Sequence, residues 1–230
     1  STKLNVGLEL GLFDALTLNV DVYKENRTGI FMQRRSLPST MGLSGVTPYG
    51  NLGEVENRGV DVSLEYNKAF NKDLLVSVRG TFTYAHNEVK ARDEAKYLPN
   101  KYNSVLGKPV NSVYGLVADG LFASQEEIDN SPRQTFMPDY LPGDIKYRDM
   151  NGDGVIDDYD RTSIGCGQPL NTGGFGNNFN WKNFDLNALI QGATRTSISL
   201  GETLVMPFFD SGSATKLQFS DHWTPDNTNA

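Results

Sequence analysis

Apolar and polar residues alternate with a period of two along most of this chain. Across residues 4–10 the apolar set is Leu4, Val6, Leu8 and Leu10. Across 15–23, Leu16, Leu18, Val20 and Val22 oppose Ala15, Thr17, Asn19 and Asp21. Across 59–66, Val60, Val62, Leu64 and Tyr66 oppose Asp61, Ser63 and Glu65. Across 75–84, Val76, Val78, Phe82 and Tyr84 oppose Ser77, Arg79, Thr81 and Thr83. Across 184–192, Phe184, Leu186, Ala188 and Ile190 oppose Asp185, Asn187 and Gln191. With residues 175–181, these segments predict about six strands, each with one apolar and one polar face.

The links between them alternate in length. Short turns are expected at 11–14, 67–73 and 182–183, and long links at about 26–52, about 87–172 and from 194 onward. Short turns on one rim and long loops on the other are the pattern of an up-and-down transmembrane β-barrel. Aromatic residues near the strand ends (Phe13, Tyr23, Tyr66, Phe70, Tyr84, Trp181 and Phe184) suit girdles where lipid meets water. The expected architecture is all-β: an open, meandering sector of a curved sheet. Residues 4, 6, 8, 16, 18, 20, 60, 62, 76, 78, 186 and 190 would face lipid from its convex side. A soluble β-sandwich explains the alternation equally well but not the short/long asymmetry.

The chain has 230 residues and a formal net charge of -7. No Lys/Arg cluster supplies a phosphate-binding stripe, so nucleic acid is not an expected partner. No apolar run approaches 18 residues, which argues against a transmembrane helix but not against a barrel. Cys166, between two glycines, reads as an incidental thiol. His86 and His222 lie in no metal or nucleophile motif, and the strand carboxylates Asp21, Asp61, Glu65 and Asp185 read as a wet face rather than acid/base pairs. No enzyme is expected. The chain begins inside a strand and ends without a terminal element, which reads as a segment of a longer protein.

Within the longest link, residues 149–160 have the spacing of a twelve-position calcium loop. Asp149, Asn151 and Asp153 fall at positions 1, 3 and 5, and Gly154 allows the sharp turn at position 6. Val155 offers its carbonyl at position 7, Asp157 acts through a water or not at all, and Asp160 closes the loop. Calcium tolerates such irregular oxygen sets better than zinc or magnesium. The flanks are not helical, so a structural calcium ion is expected rather than an EF-hand sensor. Around it, residues 114–122 carry apolar and aromatic side chains, and 125–129 predict one helical turn with Ser124 as N-cap. Residues 113–170 therefore read as a folded loop insertion.

The run Gly143-Asp144-Ile145-Lys146-Tyr147-Arg148-Asp149-Met150-Asn151-Gly152-Asp153-Gly154, with Asp160-Arg161, Ile164-Gly165 and Pro169, resembles SusC/RagA-type TonB-dependent transporters. So do residues 51–61, Asn183-Phe184-Asp185-Leu186, Gln191-Gly192 and residues 221–227. The resemblance spans nearly the whole chain. It implies a late, C-terminal part of a 22-stranded outer-membrane barrel, with 1–230 a partial barrel and 113–170 extracellular. It further implies import of oligosaccharides, glycans or peptides across the outer membrane of Bacteroidetes. A SusD-like surface lipoprotein would act as lid, and TonB would pull on an N-terminal plug that this stretch does not include. Tyr114, Phe122, Tyr140 and Trp223 are candidate contact aromatics for lid or cargo. The competing reading is a secreted, calcium-stabilised β-sandwich that binds carbohydrate.

Overall fold

The computed structural model describes residues 1–34, 36–37, 39–42, 46, 48–94, 100–201 and 205–227. Among them the strands are β1 (Thr2–Leu12), β2 (Leu16–Gln33), β3 (Tyr49–Asn71), β4 (Leu74–Ala91), β5 (Ser112–Gly115), β6 (Ala118–Leu121), β7 (Arg133–Gln134), β8 (Ile145–Tyr147), β9 (Val155–Ile156), β10 (Thr162–Cys166), β11 (Asn171–Trp181) and β12 (Phe184–Thr194). Two short helices, α1 (Gln125–Asp129) and α2 (Lys216–Ser220), lie in the connections. Two compact units result. One joins Ser1–Lys96, Val105–Ser112 and Cys166–Ser197; the other joins Tyr97–Ser104, Val113–Gly165 and Ile198–Ala230.

The first unit is a six-stranded antiparallel meander in the order β1-β2-β3-β4-β11-β12. Its register carries the apolar faces of the strands into one continuous surface. One row reads Leu8, Val20, Val62, Phe82 and Gly173 across five strands, and another reads Tyr66, Val78, Asn177 and Ala188. Leu4, Val6, Leu186 and Ile190 on this surface are 64%, 62%, 61% and 71% exposed. A sandwich would have buried them against a second sheet, so that alternative fails. On the other face Asn19, Ser63 and Thr81 align, as do Thr17, Glu65 and Arg79. β1 and β12 are the outer strands, each paired on one side only.

The short turns lie at one end and the long connections leave from the other, as the sequence implies. Phe13 and Asp14, and later Lys182, take left-handed backbone conformations that close the first and third turns. The strands run much further than their alternation. β2 reaches Gln33 and β3 starts at Tyr49, where the sequence pattern suggested a loop over about 26–52. Above Val22 and Val60 the formerly apolar face turns charged, with Lys24, Arg58 and His86 as its next row, while the opposite face carries Val55 and Val89 beside Arg27. The apolar/polar alternation is lost there while the backbone ladder continues. Gly59 marks a close approach, since a Cβ there would overlap the Tyr23 hydroxyl and the Tyr84 carbonyl.

Candidate functional site

The second unit is built around a small core of Phe122, Ile128 and Ile156, with Gln134 and Asp160 also buried. Gln134 pins two strands by its side chain, donating to the Ile145 carbonyl (3.2 Å) and accepting from the Tyr147 amide (2.9 Å). The helical turn expected at 125–129 is present, and Ser124 caps it by accepting from the Glu127 amide. Glu127 in turn accepts from Lys146 Nζ (2.7 Å) and the Ala123 amide (2.9 Å), which together hold its carboxyl below its ordinary pKa. A depressed folded pKa stabilises fully above the unfolded value of about 4.3 and is lost as pH falls through the folded value. The Ala123 amide should therefore stay protected from hydrogen exchange through mild acid and open only below that range. Glu127→Gln should remove the dependence. Opening that begins at higher pH would contradict this account.

The loop at 149–160 closes on its own backbone. Asp149 accepts from the Gly152 amide (2.6 Å) and the Gly154 amide (2.8 Å). Asn151 Oδ1 accepts from the Asp153 amide, while its Nδ2 donates to Asp153 Oδ2, both at 2.9 Å. Asp153 Oδ1 accepts from the Val155 amide (2.9 Å). Asp160 is wholly buried and ties the loop ends together: Oδ1 accepts from the Met150 amide (2.8 Å) and Oδ2 from the Asp157 amide (2.9 Å). Asp157 caps the last turn through the Tyr159 amide. Val155 and Ile156 pair in parallel with Arg133 and Gln134, which anchors the middle of the loop to the core.

Burial opposes ionisation of Asp149, but the backbone amides of Gly154, Gly152, Asp153 and Asn151 together outweigh it and leave its pKa lowered. Burial, and then the charges of Asp160, Asp149 and Asp153, raise the pKa of Tyr102. The three carboxylates thus act on one place. Among the described residues none of the three makes an ion pair, although Asp160 is fully buried. Among the same residues, no three His, Cys, Asp or Glu side chains converge as a metal cage. In type these are the hard oxygen donors that calcium takes, but each side chain is engaged with the loop's own backbone amides. The carboxylates have not converged on a common centre.

The four candidate contact aromatics hold their own unit together. Phe122 is 1% exposed and stacks on Tyr140, with ring centroids 5.5 Å apart. Phe122 is therefore core, and this corrects its assignment as a contact residue. Tyr114 donates to the Ser104 carbonyl (2.8 Å). Trp223 lies against Gly143, whose φ of +98° and lack of a Cβ let the indole approach. What would have revealed this pairing from sequence is weak: a Pro-Gly turn and a lone tryptophan 80 positions later (223 − 143). His222 Nδ1 lies 3.0 Å from the Phe219 carbonyl, and His86 sits in β4 opposite Arg58. Neither joins a catalytic arrangement.

The polar face of the six-stranded sheet is the other surface with chemistry. Asp21 sits directly opposite Asp61, and Glu65 pairs with Arg79 at 3.1 Å. Around that pair a shallow cavity is lined by Asn67, Ser77, Asn178 and Asn187 among others. Such a wall offers hydrogen bonds to a hydrophilic solute and holds no nucleophile–base pair.

The family model "TonB dependent receptor-like, beta-barrel" matches residues 1–201. TonB-dependent receptor P3 of Formosa agariphila is 30% identical over 244 residues, covering 100% of this chain and 23% of the relative. TonB-dependent receptor P26 of the same organism is 26% identical, over 99% and 23%. Among solved structures, the RagAB peptide transporter superposes with a TM-score of 0.69 at 21% identity, covering 99% of this chain and 25% of that one. The RagAB peptide importer in its open-open state also gives 0.69, at 22% identity and over 99% and 24%. The chain thus spans about a quarter of the length of these relatives.

Proposed function

Because this chain belongs to the TonB-dependent receptor-like β-barrel family, we propose that it forms part of the wall and outer mouth of a transporter importing oligosaccharides or peptides under a SusD-like lid. The family places it in the outer membrane and among transporters rather than enzymes. The resemblance to SusC/RagA-type proteins is borne out by that match and by the fold shared with the RagAB chains.

What supports the transport reading is one arrangement: a six-strand surface with an apolar face, a polar face, and every long connection leaving from one end. The apolar face meets lipid, and the polar face lines the path of a hydrophilic cargo. The folded second unit supplies the surface for a lid, a role that rests on the family resemblance and on the likeness to the RagAB peptide transporter. TonB acts through a plug upstream of this stretch. Deleting 115–139 from the full-length transporter removes the core of the second unit, including Phe122 and Ile128. Lid affinity should then fall by about tenfold or more, roughly 1.4 kcal/mol, while barrel insertion persists. Unchanged lid retention on co-purification would show that the lid docks elsewhere.

The loop at 149–160 takes a structural calcium ion in this reading. What supports it is Asp160, a buried carboxylate that makes no ion pair among the described residues, because buried charges are normally paired or bound to metal. Asp149, Asn151, Asp153, Asp160 and the Val155 carbonyl are the proposed ligands. Asp153 lies on the exposed side of the loop.

A further inference from the structure

The lipid-facing surface has two boundaries, and they differ. At the open end the boundary row is Lys24, Arg58 and His86, immediately beyond Val22, Val60 and Tyr84. On β3 the same face next carries a cation at Lys68. Ten residues separate the two (68 − 58), or about 33 Å along a strand and roughly 24 Å along the membrane normal at a tilt near 45°. An outer-membrane apolar band is about 25 Å tall. Lys68 therefore sits where acyl chains give way to headgroups on the side of the short turns.

The cations of that rim are unusual in their company. Lys68 Nζ lies 5.6 Å from the centroid of the Phe70 ring, and Lys182 Nζ lies 5.6 Å from that of Trp181. The turn holding Lys72 and the turn holding Lys182 are tied together, because the Lys182 amide donates to the Asp73 carbonyl at 2.8 Å. Three lysines thus lie at the short-turn ends of β3, β4 and β11. Among the described residues none of the three makes an ion pair, although Asp73 and Asp185 are close in sequence. Phe70 and Trp181, 55% and 49% exposed, keep their rings at the surface beside them. A charge on a barrel's lipid face is costly at the midplane and cheap at the interface, where a lysine can extend toward headgroups.

We propose that this rim, built by Lys68, Phe70, Lys72, Trp181 and Lys182, binds the headgroup of an anionic phospholipid in the periplasm-facing leaflet. The aromatic rings lie at the acyl boundary and the ammonium groups take the phosphate and the net negative charge. Unpaired ammonium groups at headgroup depth complement an anionic lipid more than a zwitterionic one. The site rests on the membrane orientation given above, with short turns on the periplasmic side.

The test uses the full-length transporter in lipid nanodiscs, with Trp181 as reporter and a Trp181→Phe variant to subtract other tryptophans. Brominated phosphatidylglycerol and brominated phosphatidylcholine are titrated separately as quenchers. The expected result is an apparent preference for phosphatidylglycerol of at least about fivefold per lysine engaged. The preference should vanish in a Lys68→Gln, Lys72→Gln, Lys182→Gln triple variant and return when the same positions carry Arg. Equal quenching by both lipids in the parent overturns the site and leaves an aromatic belt alone. A preference that survives in the triple Gln variant overturns it as well. Quenching by neither lipid would instead sink the membrane placement of this face, a failure distinguishable from that of the site.

Discussion

Replacing Val62 with Arg in the full-length transporter should cost about 2–4 kcal/mol of barrel stability. Val62 lies mid-strand in the apolar row with Val20 and Phe82, so the guanidinium would be held near the bilayer midplane. Its neighbour Ser63 points to the other face, in a row with Asn19 and Thr81. Ser63→Arg should fall within about 0.5 kcal/mol of the parent, as solvated surface substitutions usually do. The check is the folded fraction recovered in lipid vesicles across a urea series. One residue of displacement separates the two sites along the strand, so composition and strand propensity are nearly matched. A larger loss for Ser63→Arg than for Val62→Arg would reverse the assignment of lipid and lumen.

Chelating calcium should open the loop at 149–160 to protease. An ion held at ten times its dissociation constant stabilises the bound form by about 1.4 kcal/mol, so cleavage through local opening should accelerate about tenfold. The double variant Asp149→Ala, Asp153→Ala should show the fast rate with or without chelator, with the strands unaffected. Asp160→Asn probes a different cause. Its amide offers one acceptor where the carboxylate offers two, so the Met150 or the Asp157 amide is left facing an NH2 group. That loss should cost about 1–3 kcal/mol whether or not calcium is present. If chelator leaves the parent loop as resistant as before, the amide bonds alone hold its shape and the ion has no structural part.

The sheet was largely legible in the sequence because lipid and water impose opposite demands on alternate residues. Leu4 to Leu10, Leu16 to Val22 and Val60 to Tyr66 each announce a strand and its outward face. The upper halves of β2 and β3 were not legible, since Arg27, Asn51 and Glu56 lie where the apolar/polar alternation is lost. The loop unit was legible in its local pieces, such as the Ser124 cap and the glycine-bearing turn at 152–154. Its long-range pieces were hidden. Nothing local to Phe122 distinguishes a ring stacked on Tyr140 from one offered to a partner, and Trp223 meets Gly143 only in three dimensions. The donor spacing of Asp149, Asn151, Asp153 and Asp160 was evident in the sequence, but their present engagement with backbone amides was not.

The two single-sided strands have a bearing on how such a protein must be made. Within residues 1–230, β1 and β12 each pair on one side, and the outward-pointing amides and carbonyls of their alternate residues are what neighbouring strands of a closed barrel would take up. Until those neighbours are in place, such borders are a template for pairing with another chain. Closure of the wall must therefore outrun self-association through its open borders.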